Sequence, residues 1–497
     1  MSVLVVDFGT SSCRAATVDR NGVVRSVSRI KHPPGQRGVT LDVETAWHTL
    51  CSAVRTERHG SGASIDAIAV AGLLAWVFLD GHGDPLGPAL TYADSRGGGE
   101  ARAAEIADTE GNNGGDTRLP HRLSGRRARA DLAAWKLAWM RSHQPEIFAR
   151  ITAVHGLKDE LVRRLTGVRV TDLAHADYTH CFSPGDRRFS DELCERAGLS
   201  PRLFAPVVAA HQVVGRLRRD VAAAVGVPEG TPVVAGSSDG TTAMYGCGVL
   251  SGELVAVCGT TDVLMQHLTE FPSEPSPALT VNSAMVGSGF LVGGSTGTSG
   301  GMLAAVAALT GLELGECDAA ATQVPPGCAG LVALPSLTGE RAPYWHDSLR
   351  AGFTGLSESH AREHLVRAVM EACAYRWRRL VALLDDAGGA SRGIAVSGGG
   401  SASTIWNQIR SDVVRRPVVR RSEPEATILG AAMFARAGVD SSVTLSELEH
   451  RWISDGETWS PREETASVYA DGFARFERAI SSGAQEAVWQ ETSTLSE

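Results

Sequence analysis

Between Thr231 and Gly248 the chain reads TPVVAGSSDGTTAMYGCG, with one carboxylate in it, Asp239. The apolar run Pro232 to Ala235 predicts a buried strand that stops at Gly236-Ser237-Ser238, residues of turns and caps. Small residues follow, Gly240 to Ala243 and Gly246 to Gly248, so a helix can start close to the strand and leave open space before the carboxylate. Open parallel sheets bind ligands beyond the carboxyl ends of their strands, and an Asp placed there is suited to act as a general base. Asp is equally a preferred helix-capping residue, and this stretch alone supports either role.

A second candidate stands at the amino terminus. The apolar run Val3 to Val6 predicts a strand, followed by Asp7-Phe8-Gly9-Thr10-Ser11-Ser12 and a further strand-like run from Cys13 to Asp19. A tight turn over Gly9, Thr10, Ser11 and Ser12 would gather backbone N–H groups and hydroxyls into a cradle for phosphate oxygens, and Asp7 is suited to hold Mg²⁺ directly or through water. An ordinary polar hairpin has the same composition. The pattern recurs about 250 residues on, where Leu254 to Cys258 runs into Gly259-Thr260-Thr261 and then Val263 to Met265. This reads as a duplicated domain whose two phosphate-facing hairpins point at one cleft, with Asp239 where the first copy passes into the second.

The elements that must position these residues are those of a large α/β chain. Its 497 residues suffice for two or three domains with sizeable cores. A net charge of −9 provides no basic stripe for nucleic acid. Nine scattered cysteines, without a CxxC pair or Cys/His metal spacing, argue against a disulfide framework. With no signal-peptide pattern and no long apolar run, the expectation is a soluble, cytoplasmic, reduced protein that does not engage a membrane.

Taken together, VVDFGTSSCRA, GSSDG, the pattern from Ala351-Gly352-Phe353-Thr354-Gly355-Leu356 to Glu371, and Ser397-Gly398-Gly399-Gly400 to Asn407 and Asp412 resemble the FGGY family of carbohydrate kinases over about residues 3 to 440. The resemblance implies an α/β protein of two actin/hexokinase-like (ribonuclease H-like) domains with a cleft between them. It implies an amino-terminal domain over residues 1–248, a nucleotide-binding domain over 249–440, and a helix and tail over 441–497. ATP and Mg²⁺ would be the cofactors and a small sugar, sugar acid or polyol the substrate, with assembly as a homodimer left open.

On this resemblance Asp239 is the catalytic base and a substrate contact, and Asp94 and Arg96 lie beside the sugar. An Asp and an Arg two apart on a strand would project to one face and bracket a polyhydroxy substrate. Gly9, Thr10, Ser11, Ser12, Arg14, Gly259, Thr260 and Thr261 would face phosphates. Gly398, Gly399, Gly400 and Asn407 would face adenosine, and Asp7 the metal. The Met-His pair of many family members is replaced by Leu73-Leu74, so a polar substrate contact is missing or supplied elsewhere. The segment Gly339-Glu340-Arg341-Ala342-Pro343 and Ser238-Asp239-Gly240 tip the expected substrate toward gluconate, with xylulose or another ketose or polyol as the alternative. A non-catalytic ATP-binding regulator of the same fold is the reading from another class.

Other segments read as scaffold or surface. Asp131 to Arg141 and Lys158 to Leu165 have helical spacing, and Trp135 and Trp139 read as packing. Residues 109–118 read as a mobile Gly/Asn-rich loop, and Gly293 to Gly301 as a Gly-rich loop opening a helix. An amphipathic run from Val468 to Ile480 predicts a terminal helix before a disordered end.

Overall fold

Strand Ser2–Phe8 is buried on both faces, and its alternate residues serve two cores. Leu4, Val6 and Phe8 join one core, Val3 and Val5 the other. In the computed structural model, which describes residues 2–33, 38–110, 119–389 and 391–494, this strand is the centre of a mixed sheet. It pairs antiparallel with Ser12–Asp19, which pairs antiparallel with Val24–Lys31. On its other side it runs parallel to Ile65–Gly72, which is parallel to Pro232–Val234, with Val213–Arg216 antiparallel beyond. Helices Val43–Ser61, Leu157–Thr166 and Arg219–Val225 contribute to the first core and helix Ala426–Val439 to the second.

The later sheet repeats the order. Strand Leu254–Cys258 pairs antiparallel with Thr261–Leu268, which Phe290–Thr298 flanks. On the other side lie Ile394–Ser397 and Val418–Arg421, both parallel, and then Asp455–Trp459, antiparallel. From the outer antiparallel strand through the hairpin, strand order and sense match those of the first sheet, so the predicted duplication is an observed one. The α/β fold is that of two actin/hexokinase-like, ribonuclease H-like units.

By packing, unit 1 comprises Met1–Gly246, Thr269–Leu291 and Glu425–Ile453, and unit 2 comprises Cys247–Leu268, Val292–Pro424 and Ser454–Glu497. The predicted boundaries at 248 and 440 follow the duplication, whereas packing returns Glu425–Ile453 to unit 1. The cause is small residues. A Cβ on Gly246 would stand 1.9 Å from the Ala426 carbonyl oxygen, and one on Gly430 2.1 Å from that of Thr242. Helices Asp239–Gly246 and Ala426–Val439 therefore meet backbone to backbone.

The terminal helix is longer than expected: it spans Ala466–Thr494 and places Tyr469, Phe476 and Ile480 in the core of unit 2. Of the expected 109–118 loop, helix Gly98–Glu110 takes the first two residues, and 111–118 lie outside the described residues. Among the described residues no single helix is long and apolar enough to cross a membrane.

Because the Gly246 contact is with backbone, Gly246→Ala should cost about 1–3 kcal/mol of stability in urea unfolding. Gly60→Ala, at a position with open space around it, should change stability by no more than about 1 kcal/mol. Equal effects of the two substitutions would refute the close-approach account.

Candidate active site

Ser237 and Ser238 pair in parallel with Ala71 and Gly72, which brings Asp239 to the carboxyl end of the sheet as the first residue of helix Asp239–Gly246. Its Oδ1 accepts the N–H of the next residue, Gly240, at 2.7 Å, at the start of the helix. The carboxylate is half-buried. Burial pushes its carboxyl up to about 6, and the charge of Asp7 adds to the effect.

Asp7 occupies the end of strand Ser2–Phe8 and is buried. Its Oδ2 receives the guanidinium of Arg14, which stands directly opposite in the hairpin register, while its buried Oδ1 has no hydrogen-bond partner. Burial raises the Asp7 carboxyl above the usual range despite Arg14. Arg14 also donates to Glu425 at the start of helix Ala426–Val439. Two carboxylates, Asp7 and Glu425, thus match the charge of Arg14, the residue expected to face phosphates.

The two hairpins differ in length. The Gly9 N–H donates to the Ser12 carbonyl at 3.0 Å and leaves Thr10 and Ser11 exposed, with Ser12 half-buried. The Gly259 N–H donates to the Thr261 carbonyl at 3.0 Å, one residue sooner, leaving Gly259 and Thr260 exposed. The stretch Gly293 to Gly301, expected as a loop, is strand as far as Thr298 and then opens helix Gly300–Thr310. Its glycines allow close approach, since a Cβ on Gly293 would lie 1.9 Å from the Leu264 carbonyl oxygen. The N–H groups of Ser299 and Gly301 bond the Thr260 carbonyl and that of Gly300 bonds Gly259, so this segment braces the second hairpin.

Gly398 follows strand Ile394–Ser397 with φ 86°, and a Cβ there would stand 2.5 Å from the Cys258 carbonyl oxygen. Gly399 is exposed with open space around it, and Gly400 is half-buried. Asn407, expected to face adenosine, is fully buried, with its Nδ2 donating to the Ser401 carbonyl at 2.7 Å and its Oδ1 accepting from Arg410 at 2.9 Å. Its amide braces the glycine turn from within.

Asp94 and Arg96 lie after strand Ala89–Thr91 in a turn leading to helix Gly98–Glu110, not on a strand as expected. They are brought together all the same, because Asp94 Oδ1 accepts the Arg96 backbone N–H at 3.0 Å and Nε–H at 2.9 Å. Buried Lys136 donates to the Asp94 carbonyl at 2.9 Å, and the Arg96 guanidinium lies 5.1 Å from the Trp139 ring centre. Trp135 and Trp139 both pack as expected, and Trp139 also covers Arg96. Leu73 and Leu74 are buried and present no polar side-chain atom.

Sequence reading assigned no site role to Lys136, Arg410 or a buried group of Lys158, Asp159, Asp172 and His175. Contacts such as Lys136 with Asp94 and Lys158 with Ala235 join residues far apart in the chain, so no local spacing marked them.

The fold and these residues define a two-unit phosphotransferase of the actin/hexokinase class. Residues 2–246 match the N-terminal domain, and residues 254–438 the C-terminal domain, of the FGGY family of carbohydrate kinases, and the chain belongs to that family. Its members are phosphotransferases acting on sugar hydroxyls, which implies use of ATP and a small-molecule sugar substrate. The chain is 26% identical over 488 residues to the xylulose kinase of Bacillus subtilis (strain 168), covering 94% of each. It is 25% identical over 493 residues to the gluconokinase of the same organism, covering 94% of this chain and 93% of that one. The crystal structure of xylulose kinase from Rhodospirillum rubrum superposes with a TM-score of 0.86 at 28% identity, over 98% of this chain and 100% of that one.

The raised carboxyl of Asp239 has a stability consequence. A folded value of about 6 against 3.8 for the free group means the folded state binds the proton more tightly. Stability therefore falls as pH rises from about 4 to about 6, and the cost is complete above that range. Asp239→Asn should be more stable than wild type at pH 8, by on the order of 2 kcal/mol, and should match it below pH 4. Urea unfolding at both pH values measures this, and a less stable variant at pH 8 would contradict the assignment.

Proposed function

We propose that this kinase transfers the γ-phosphate of ATP to a hydroxyl of gluconate or a closely similar sugar acid, with Asp239 as general base. The observation that carries the reading is the placement of Asp239: a half-buried carboxylate at the strand ends, raised to about 6, able to be ionised at neutral pH yet basic enough to accept a proton. In this reading Asp239 accepts the proton of the attacking hydroxyl, and Asp94 and Arg96 orient the substrate. The hairpins Gly9 to Ser12 and Gly259 to Thr261 donate to phosphate oxygens, and Gly398 to Gly400 provide a side-chain-free surface for adenosine.

The unpartnered Oδ1 of Asp7 and the nearby carboxylate charge of Asp239 make an oxygen donor set that suits Mg²⁺, with Asp7 as its holder. When bound, the ion would neutralise phosphate charge. A cytoplasmic setting is consistent with nine buried cysteines, none of them in a disulfide. A ketose substrate such as xylulose is the second reading, favoured by the names of the relatives at 26% and 28% identity.

ADP release with Mg-ATP across gluconate, D-xylulose, L-ribulose, glycerol and erythritol decides between them. Gluconate should raise turnover above the no-sugar rate, and Asp239→Asn should lower kcat by about 10²–10⁴-fold while ATP still binds. A near-wild-type rate in that variant would remove Asp239 as the base. Turnover with D-xylulose alone would replace the substrate.

A further inference from the structure

Behind Asp239 lies a charged assembly with no contact to solvent. Lys158, Asp159, Asp172, His175 and Ser237 are each no more than 2% exposed. Asp159, Asp172 and His175 have ligand atoms within 4.8 Å of one another, a grouping that could hold a metal ion. The cation there belongs to the chain itself: the Lys158 ammonium stands 2.6 Å from Asp159 Oδ1 and 2.8 Å from Asp172 Oδ1. Against the desolvation of burial, Lys158 and His175 hold the Asp172 carboxyl well below the usual range.

This assembly grips the backbone that leads to the base. Lys158 Nζ donates to the Ala235 carbonyl at 3.1 Å, and the Ser237 hydroxyl donates to Asp172 Oδ2 at 2.6 Å. Between them Gly236 takes φ 66°, with its Cα so near the Val70 carbonyl that a Cβ would lie 1.9 Å from that oxygen. Asp172 is itself fixed: its Oδ2 accepts the Ala174 N–H at 3.0 Å and its Oδ1 the His175 Nδ1–H at 2.6 Å. The Lys158 stem packs on Gly72, the strand residue paired with Ser238. Two of the four residues preceding Asp239 are thus tied to one buried ion cluster, and a third is locked by its backbone.

We propose that Lys158, Asp172 and Ser237 are positioning residues for Asp239, a buried ion cluster that sets where the base stands without touching substrate. The inference rests on the reading of Asp239 as general base. A hydroxyl–carboxylate bond in a dry site is strong and directional, and a displacement of about 1 Å at a reacting group can cost about 10²-fold in rate. Burying two carboxylates with one ammonium has no evident gain in stability over an apolar core, and cluster retention fits a geometric task.

The test is steady-state kinetics of the full chain with gluconate, or with D-xylulose if that is the sugar turned over. Ser237→Ala, and as a second variant Asp172→Asn, are each made in the wild-type and Asp239→Asn backgrounds. Expected is a fall in kcat of about 10–10²-fold with KM for ATP unchanged within about twofold, and no further fall when Asp239 is already Asn. A residue that only stabilises the fold would lower both backgrounds by the same factor. The proposal is overturned if either folded variant keeps wild-type kcat, or loses as much in the Asp239→Asn background. Should Asp239→Asn itself retain wild-type rate, the base assignment fails, a result distinct from failure of the cluster.

Discussion

Like charges gathered in a partly dry place repel, and unit 1 is arranged around that repulsion. Asp7 and Asp239 stand at strand ends where burial disfavours their ionised forms, and the charge of Asp7 raises Asp239 further. Two cations answer it in different ways. Arg14 reaches across the hairpin to bind Asp7 directly and is itself held by Glu425. Lys158 never contacts Asp239; it neutralises carboxylates behind the strand and grips the carbonyl of Ala235. Among the described residues Asp239 bonds only locally, to the Gly240 N–H, and its carboxylate is in no salt bridge. Asp7, more tightly buried, keeps one oxygen without a partner.

Duplication supplies two similar sheets but not two equivalent sites. Counting back from Gly9 and Gly259, Asp7 in the first hairpin corresponds to Val257 in the second. The acidic residue that the second hairpin does carry, Asp262, faces inward, where Ser299 donates to it at 2.8 Å and Trp377 at 2.9 Å. Unit 1 therefore has carboxylates at its strand ends, while unit 2 has Val257 at the matching place and a glycine turn braced from below by Arg410 and Asn407.

Glycine is the second material constraint. At Gly236, Gly246, Gly293 and Gly430 a side chain would collide with a carbonyl oxygen at about van der Waals overlap. These residues do not make the structure flexible; they let strands and helices approach until main chain meets main chain. Asp239 sits between two of them, Gly236 before and Gly246 after, so both the turn that delivers it and the helix that carries it are pressed against neighbouring backbone.

Much of this was legible in the chain before any coordinates. Alternating and continuous apolar runs marked the central strands, because a strand buried on both faces must be apolar throughout. The repeat of strand, glycine, hydroxyl and strand marked the duplication, and the isolated Asp after a strand and before small residues marked the place where a carboxylate emerges at the strand ends. Tertiary structure alone decided the partners. That Arg14 pairs with Glu425, 411 residues away, shows only in the fold. So do the bonds that the Asn407 amide makes with the Ser401 carbonyl and Arg410. Lys158 reads as part of a scaffold helix, and folding buries it with Asp172 beneath residues 235–237. The sequence by itself determined which local elements form and where a carboxylate emerges from them, since period, turn and cap are properties of neighbouring residues. Which charges pair, which amides are consumed and how firmly Asp239 is held were decided only by the fold, because those interactions join residues whose separation along the chain carries no signal of their separation in space.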